Sequence, residues 1–318
     1  VTRVDFTRVR YREVGGSGLK ASVIGLGTWQ WGSRVYWGYG RTYGRKEMEA
    51  ILYQALEHGI NLFDTAEIYG WGASERLLGD LIPAGSREDI IIATKYWPFR
   101  PLSSEWVFRA AERSRRRLGI DAIDLYQVHW PNYLGSTTRL MRSMERLVRK
   151  GVIRHIGVSN FSVKQLERAR AALPSLDVVS NQVHYNLLAR APETSGLLDY
   201  CRKTGIGVIA WSPLEQGLLT GKFRPGMRVR GVRRLRPTFR RRNLGRISPL
   251  LEEIGRVARG HNVTMAQVAV NWLVSKDDVI AIPGASRPEQ VVDLCLAVRW
   301  DMTEEERERI ELAYPAGG

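Results

Sequence analysis

Short apolar runs of strand length begin near Val23, Ile60, Ile90, Asp124, Ile153, Val178, Ile206 and Val279, and amphipathic stretches separate them. The amphipathic stretches carry helix punctuation. Met48, Ile51, Leu52, Ala55 and Leu56 fall on one helical face, and that run stops at Gly59. Ser162 with Gln165 makes a capping box ahead of Leu166 and Ala169. Ser248-Pro249 opens a helix carrying Leu250, Leu251, Ile254, Val257 and Ala258 that ends at Gly260, and Thr264 opens another. Ahead of the first run, residues about 10–22 read as a β-hairpin around a Gly15-Gly16-Ser17-Gly18 turn.

Eight strands alternating with helices point to a parallel sheet, and right-handed crossovers close eight such units into a (β/α)8 TIM barrel in the α/β class, here preceded by the N-terminal hairpin. An open doubly wound sheet usually uses fewer strands. The last strand-to-strand interval is the longest and holds an Arg-rich loop, about 223–247. No linker, low-complexity run or internal repeat divides the chain, so residues 1–318 are expected to form a single domain.

Composition narrows the function classes. With 318 residues, 44% of them apolar and 25% charged, the chain can bury a large core. No apolar run approaches the ~18 residues that span a membrane, so no membrane partner is expected. Val1 to Arg12 is polar and basic with no apolar block behind it, which predicts no secretory signal. Cys201 and Cys295 lie far apart, excluding a disulfide scaffold or a CxxC motif, and a reducing, cytoplasmic setting is the expectation. The five histidines occur singly, so no metal site is expected.

The net charge of +15 raises nucleic acid as a partner, but ten arginines fall between Arg224 and Arg246 with no Asp or Glu among them. Most of the excess is this one segment. It reads as a solvated loop; drawing a phosphate-rich cofactor toward the barrel mouth is the functional alternative, and nucleic acid is disfavoured. Two glycine motifs are near misses. Gly38-Tyr-Gly40-Arg-Thr-Tyr-Gly44 has the wrong spacing for a dinucleotide fingerprint, and Gly217-Leu-Leu-Thr-Gly221-Lys222 is one residue short of a P-loop.

The chemistry gathers where the strands end, the face on which a barrel carries its active site. The exits read Gly25-Leu-Gly27-Thr28-Trp29, Phe63-Asp64-Thr65-Ala66-Glu67-Ile68-Tyr69, Ala93-Thr94-Lys95, Gln127-Val128-His129-Trp130, Gly157-Val158-Ser159-Asn160, Asn181-Gln182, Ala210-Trp211-Ser212-Pro213-Leu214 and Ile282-Pro283-Gly284. Asp64, Tyr69, Lys95 and His129 make a proton-transfer set. A free tyrosine, with a pKa near ~10, is a weak acid at neutral pH. A buried Lys95 ammonium beside Tyr69 is expected to lower that value, Asp64 to keep Lys95 charged, and His129 to hydrogen-bond a substrate oxygen.

These segments, in this order and over nearly the whole chain, resemble the aldo-keto reductase family, and most closely the branch that includes the potassium-channel β subunits and their bacterial relatives. The family's catalytic tetrad maps onto Asp64, Tyr69, Lys95 and His129. The resemblance implies NADPH-dependent reduction of aldehydes and ketones, with the proton from Tyr69. An alternative is a nucleotide-binding regulatory subunit of a membrane protein with vestigial catalysis.

By the same resemblance, Trp211 stacks on the nicotinamide, and Ser159, Asn160 and Gln182 hold its carboxamide. Ser212, Pro213, Leu214, Gln216, Gly217 and Lys222 fold over the pyrophosphate. Gly284, Ser286, Arg287, Gln290 and Asp293 form the adenosine end, where Arg287 suits a 2′-phosphate and so favours NADP. Thr28, Trp29 and Asp64 complete the implied cofactor set. The chain reads Asp293-Leu294 where the family usually has an acidic residue followed by Asn, so that amide's bonds to adenine are lost. Of the tryptophans near strand exits (Trp29, Trp31, Trp37, Trp97, Trp130), the candidates for an apolar substrate pocket are Trp29, Trp97 and Trp130. The implied partner is a small-molecule carbonyl compound, and a homo-oligomer is compatible with the family.

Overall fold

Eight parallel strands form the expected ring in the computed structural model, which describes residues 9–83, 85–99, 103–132, 135–223, 227, 229, 233 and 236–316. A hairpin of β1 (Tyr11–Glu13) and β2 (Lys20–Ser22) comes first. The ring follows in chain order: β3 (Leu26–Gly27), β4 (Leu62–Asp64), β5 (Ile91–Tyr96), β6 (Ile123–Val128), β7 (Ile153–Ser159), β8 (Val178–His184), β9 (Gly207–Trp211) and β10 (Val279–Ile282). The seam between first and last strands is closed by Ile24 bridging Ala281, with Gly25 N–H donating to Ala281 O and Ala281 N–H to Val23 O. This explains why the first strand, expected from Val23, is so short. Its early residues pair with β10, and only Leu26–Gly27 pair with β4.

The helices between strands are α1 (Arg34–Trp37), α2 (Arg45–Glu57), α3 (Ala73–Leu81), α4 (Ser104–Leu118), α5 (Thr137–Arg149), α6 (Val163–Ala171), α7 (Ala191–Thr194) and α8 (Leu197–Thr204). They continue with α9 (Arg241–Arg246), α10 (Ser248–Gly260), α11 (Met265–Val274), α12 (Pro288–Cys295) and α13 (Glu304–Ala313). The punctuation read from the sequence sits at their ends. Ser162 and Gln165 form the capping box of α6, Pro249 lies in the first turn of α10, and Thr264 caps α11 by accepting from Gln267 N–H.

Two apolar layers follow from the strand period of two. One packs the outer strand faces against the helices. The other fills the ring itself with Leu62, Ile91, Ala93, Leu125, Ile209, Ile280 and Ile282, and the hairpin's Val14 and Ala21 close it from below. Gly15 makes that closure fit. Its φ is +57°, and a Cβ there would stand 2.2 Å from Val179 O and 2.7 Å from Gly205 O. Two positions further up each strand, the same inward faces turn polar with Asp64, Lys95, Gln127, Ser159 and Gln182, all buried. The floor of the site is therefore the upper layer of the barrel interior.

Within the Arg-rich loop, residues 224–226, 228, 230–232 and 234–235 lie outside the described residues. The solvated-loop reading does not hold for the remainder. Phe239, Leu244 and Ile247 are buried with Leu218 in a small apolar cluster, and α9 and the turn at Pro237–Phe239 give this stretch regular structure. Among the described residues no helix is long and apolar enough to cross a membrane, and no cluster of His, Cys, Asp and Glu could hold a metal ion.

Candidate active site

Asp64 ends β4 with its carboxylate shared among three side chains. Oδ1 accepts from Lys95 Nζ at 2.5 Å, and Oδ2 accepts from Gln182 Nε2 at 2.7 Å and Gln127 Nε2 at 3.2 Å. Lys95, fully buried on β5, also donates to Thr65 O at 2.8 Å. Its ammonium lies 5.1 Å from the centre of the Tyr69 ring, which the turn at Tyr69–Gly72 swings over the strand ends. His129 follows β6, anchored by its N–H donating to Tyr96 O at 3.0 Å. Its ring stands edge-on to Tyr69 at 5.8 Å and to Trp97 at 5.5 Å, and its Nδ1 is buried without a partner. The four residues read from the strand ends thus converge.

Their electrostatics match the expectation for Lys95 and correct it for Tyr69. Burial disfavours the Lys95 ammonium, but the negative charge of Asp64 and the Tyr69 hydroxyl outweigh it, so Lys95 stays protonated beyond its ordinary range. His129 is pushed well below 6.5, by burial first and by Lys95 second, and is neutral at neutral pH. The correction concerns Tyr69, whose pKa is raised, not lowered. Removal from water dominates and Asp64 adds to it, while Lys95 pulls the other way without prevailing. Lys95 spends much of its field on Asp64. Tyr69 accordingly holds its proton throughout the neutral range.

A second cluster surrounds Trp211, the last residue of β9. Its Nε1 donates to Asn160 Oδ1 at 3.0 Å, and one face stacks on His184 at 4.2 Å with the rings 11° apart. Asn160, at φ +63°, spends its amide nitrogen on His129 O and Ser159 Oγ, and so ties this cluster to the first. Gln182, on the cavity wall, donates through Nε2 to Asp64 and Gln127. Thr28 lines the same wall and spends its hydroxyl on Asp64 O and Ser74 Oγ, which braces the end of β4.

Both clusters open into one cavity of about 710 Å³. Its walls include Trp29, Trp97 and Trp130 near Tyr69 and His129, and Ser159, Asn160, Gln182 and Trp211 across from them. Ser212, Pro213, Leu214, Gln216, Gly217 and Lys222 line it further out, and Gly284, Ser286, Arg287 and Gln290 line the far end. Two sequence-derived residues stand apart. Lys95 lies beneath the wall, against Asp64 and the Tyr69 ring. Asp293 turns away, accepting from Thr264 Oγ1 at 3.1 Å and Gln267 Nε2 at 2.6 Å, so it does not reach the cavity. Trp31 is core, while Trp37 lines the cavity after all.

The sequence reading set Trp37 of α1 aside and did not single out Tyr36 of α1 or Arg233 and Arg236 of the Arg-rich loop, all of which line the cavity. Arg236 Nε donates to Tyr36 Oη at 3.0 Å and Arg233 lies 5.1 Å over the Trp37 ring. Tyr36 in turn stacks on Trp29 at 4.8 Å. Gln127, His184 and Glu215 were missed as well. The only signal for Gln127 was its inward place two residues before His129.

Known proteins resemble this chain in sequence and in fold. Residues 23–314 match the model of the aldo/keto reductase family. An uncharacterized oxidoreductase of Mycobacterium tuberculosis is 44% identical over 284 residues, 89% of this chain and 86% of that protein. The chloroplastic pyridoxal reductase of Arabidopsis thaliana is 35% identical over 311 residues, 93% of this chain and 84% of its own length. The crystal structure of an aldo-keto reductase from Klebsiella pneumoniae in complex with NADPH superposes with a TM-score of 0.79 at 27% identity, covering 97% of this chain and 96% of that one.

Proposed function

The chain belongs to the aldo/keto reductase family, and from that premise we propose that it reduces aldehydes and ketones to alcohols with NADPH, using Tyr69 as the proton donor. The observation that carries the reading is the joint placement of Tyr69, Lys95, Asp64 and His129 at the floor of one cavity.

The residues on the cavity wall fit the dinucleotide. Asp64 is the only carboxylate among the described wall residues and is already bound by Lys95, whereas Lys222, Arg233, Arg236 and Arg287 all face the same space. Arg233 Nε is buried without a partner. Cations gathered this way, on a wall whose one described carboxylate is already paired, suit a ligand carrying several phosphate charges. Trp211, backed by His184, offers a flat face to a nicotinamide ring, and Ser159, Asn160 and Gln182 adjoin it. Arg287 and Ser286 suit a 2′-phosphate, and Asp293 has no part in the site.

When bound, NADPH supplies the hydride that the carbonyl carbon accepts. Tyr69 gives its proton to the carbonyl oxygen as negative charge gathers there, and the phenolate that remains is stabilised by Lys95 until a proton from water restores it. Neutral His129 donates to the same oxygen and fixes its approach. Asp64 keeps Lys95 charged and in place. Trp29, Trp97 and Trp130 shape an apolar wall for aromatic or bulky carbonyl compounds. Residues 1–318 acting as one barrel domain is part of the same proposal. The complete set of four favours turnover over the regulatory alternative.

The test is NADPH consumption against aromatic aldehydes, pyridoxal, quinones and sugars, with Tyr69→Phe in parallel. Turnover should fall roughly a hundredfold or more in the variant while NADPH affinity stays within about twofold. Undiminished turnover would remove Tyr69 as the acid.

A further inference from the structure

The nicotinamide platform and the pyrophosphate loop of the proposed cofactor seat are mechanically joined through one histidine. His184 ends β8. Its ring backs Trp211 at 4.2 Å, nearly parallel, and its Nε2 lies 2.7 Å from Glu215 Oε2. Glu215 opens the turn of 3-10 type at Glu215–Thr220, which leads from Trp211 toward Lys222. Its side chain is only 3% exposed. Burial alone would raise its pKa, yet His184, Asn186 and the more distant Arg236 outweigh burial and hold it below the usual carboxylate range.

Asn186 completes the tie. Its amide nitrogen donates to Glu215 Oε2 at 3.0 Å and to Ser212 O at 2.9 Å, while its oxygen accepts from the N–H groups of Leu188 and Ala189. The segment so held is one that backbone preference alone would not fix. Ser212, Glu215 and Gln216 have φ of +53°, +43° and +55°, a region that non-glycine residues adopt only at a cost. Such a conformation persists only where surroundings impose it, and Asn186 and Glu215 are what imposes it here.

We infer that His184 is a positioning residue that couples the two ends of the cofactor seat: its ring sets the angle of Trp211, and its bond to Glu215 locks that ring to the loop carrying Gln216, Gly217 and Lys222. The inference rests on the reading of Trp211 as the nicotinamide platform. Closure of the loop over phosphate then presets Trp211, and the two halves of the cofactor bind more tightly together than their separate contacts provide.

Equilibrium titration with two probes tests the coupling: NADPH, and 2′-phosphoadenosine diphosphoribose, which lacks the nicotinamide. His184→Phe keeps a ring behind Trp211 and loses the bond to Glu215. It should raise the Kd for NADPH about tenfold and leave that of the nicotinamide-free probe within about twofold. Glu215→Asp, too short to reach His184, should show the same pattern and serves if His184→Phe folds poorly. Equal weakening of both probes would mean that the tie merely orders the loop, and would overturn the coupling, as would unchanged NADPH affinity in both variants. Trp211→Leu separates the two readings. If it leaves NADPH affinity intact, the platform itself is wrong; if it weakens NADPH while the other variants do not, the coupling alone fails.

Discussion

Gln182 reaches across 118 residues of chain to donate to Asp64 Oδ2 at 2.7 Å. Asp64 thereby meets a lysine on one oxygen and two amides on the other, so its charge is matched by donors and not by a second acid. Gln182→Leu leaves one of those lone pairs dry. A loss of about 1–3 kcal/mol in urea unfolding is expected. The NADPH Kd should rise in the same variant, because the amide is lost from the cavity wall beside Trp211.

Lys95→Met removes the only influence that lowers the Tyr69 pKa against burial and Asp64. Tyr69 then becomes a still weaker acid. Carbonyl reduction should slow by roughly a hundredfold or more at every pH, and the alkaline limb of the rate profile should move upward. Single-turnover rates from pH 6 to about 11 check both effects.

His129 is held neutral in the fold, while in the unfolded chain it titrates near 6.5. Protons below that pH therefore bind the unfolded chain preferentially. The stability contributed by neutral His129 is complete above pH 6.5 and is lost as pH falls through and below it, with a slope of at most about 1.4 kcal/mol per pH unit. His129→Asn should flatten this part of the acid limb in chemical denaturation measured at several pH values. The half-buried His155, also shifted down, contributes to the slope that remains.

Gly15→Ala sets a Cβ against two backbone carbonyl oxygens that cannot step aside. A cost of about 2–4 kcal/mol is expected, with the cofactor site unchanged, because the contact lies at the opposite end of the barrel. A lowered melting temperature with unaltered NADPH Kd is the signature.

Most of the barrel was legible because strand period and helix punctuation are local signals. Eight apolar runs between capped helices leave little choice of topology. The tetrad was legible for a related reason: Asp64, Lys95 and His129 each sit at or just beyond the polar end of an apolar strand. What escaped depends on direction or on company. Gln127 looks like any strand glutamine until the alternation Leu125, Gln127 is wrapped into a ring and aims it at Asp64. His184 and Glu215 are 31 positions apart, and neither stands in a motif. Arg233 and Arg236 look identical to their eight neighbours in the Arg-rich run, and only the fold singles them out. Asp293 shows the reverse failure, since its place in sequence suits the adenosine end but its side chain has nearer donors in Thr264 and Gln267. The pKa of Tyr69 was misjudged because strand-end patterns report which charges are adjacent but not how much water is excluded.

The hairpin that seals the lower end of the ring has a consequence for access. Leucine, isoleucine and alanine fill the space between Val14 and Asp64, so the cavity has no passage through the hairpin end of the ring. On the proposed reaction, what turnover consumes or releases therefore does not cross the hairpin end, and Tyr36, Trp37, Arg233 and Arg236 on the cavity wall are placed to meet that traffic.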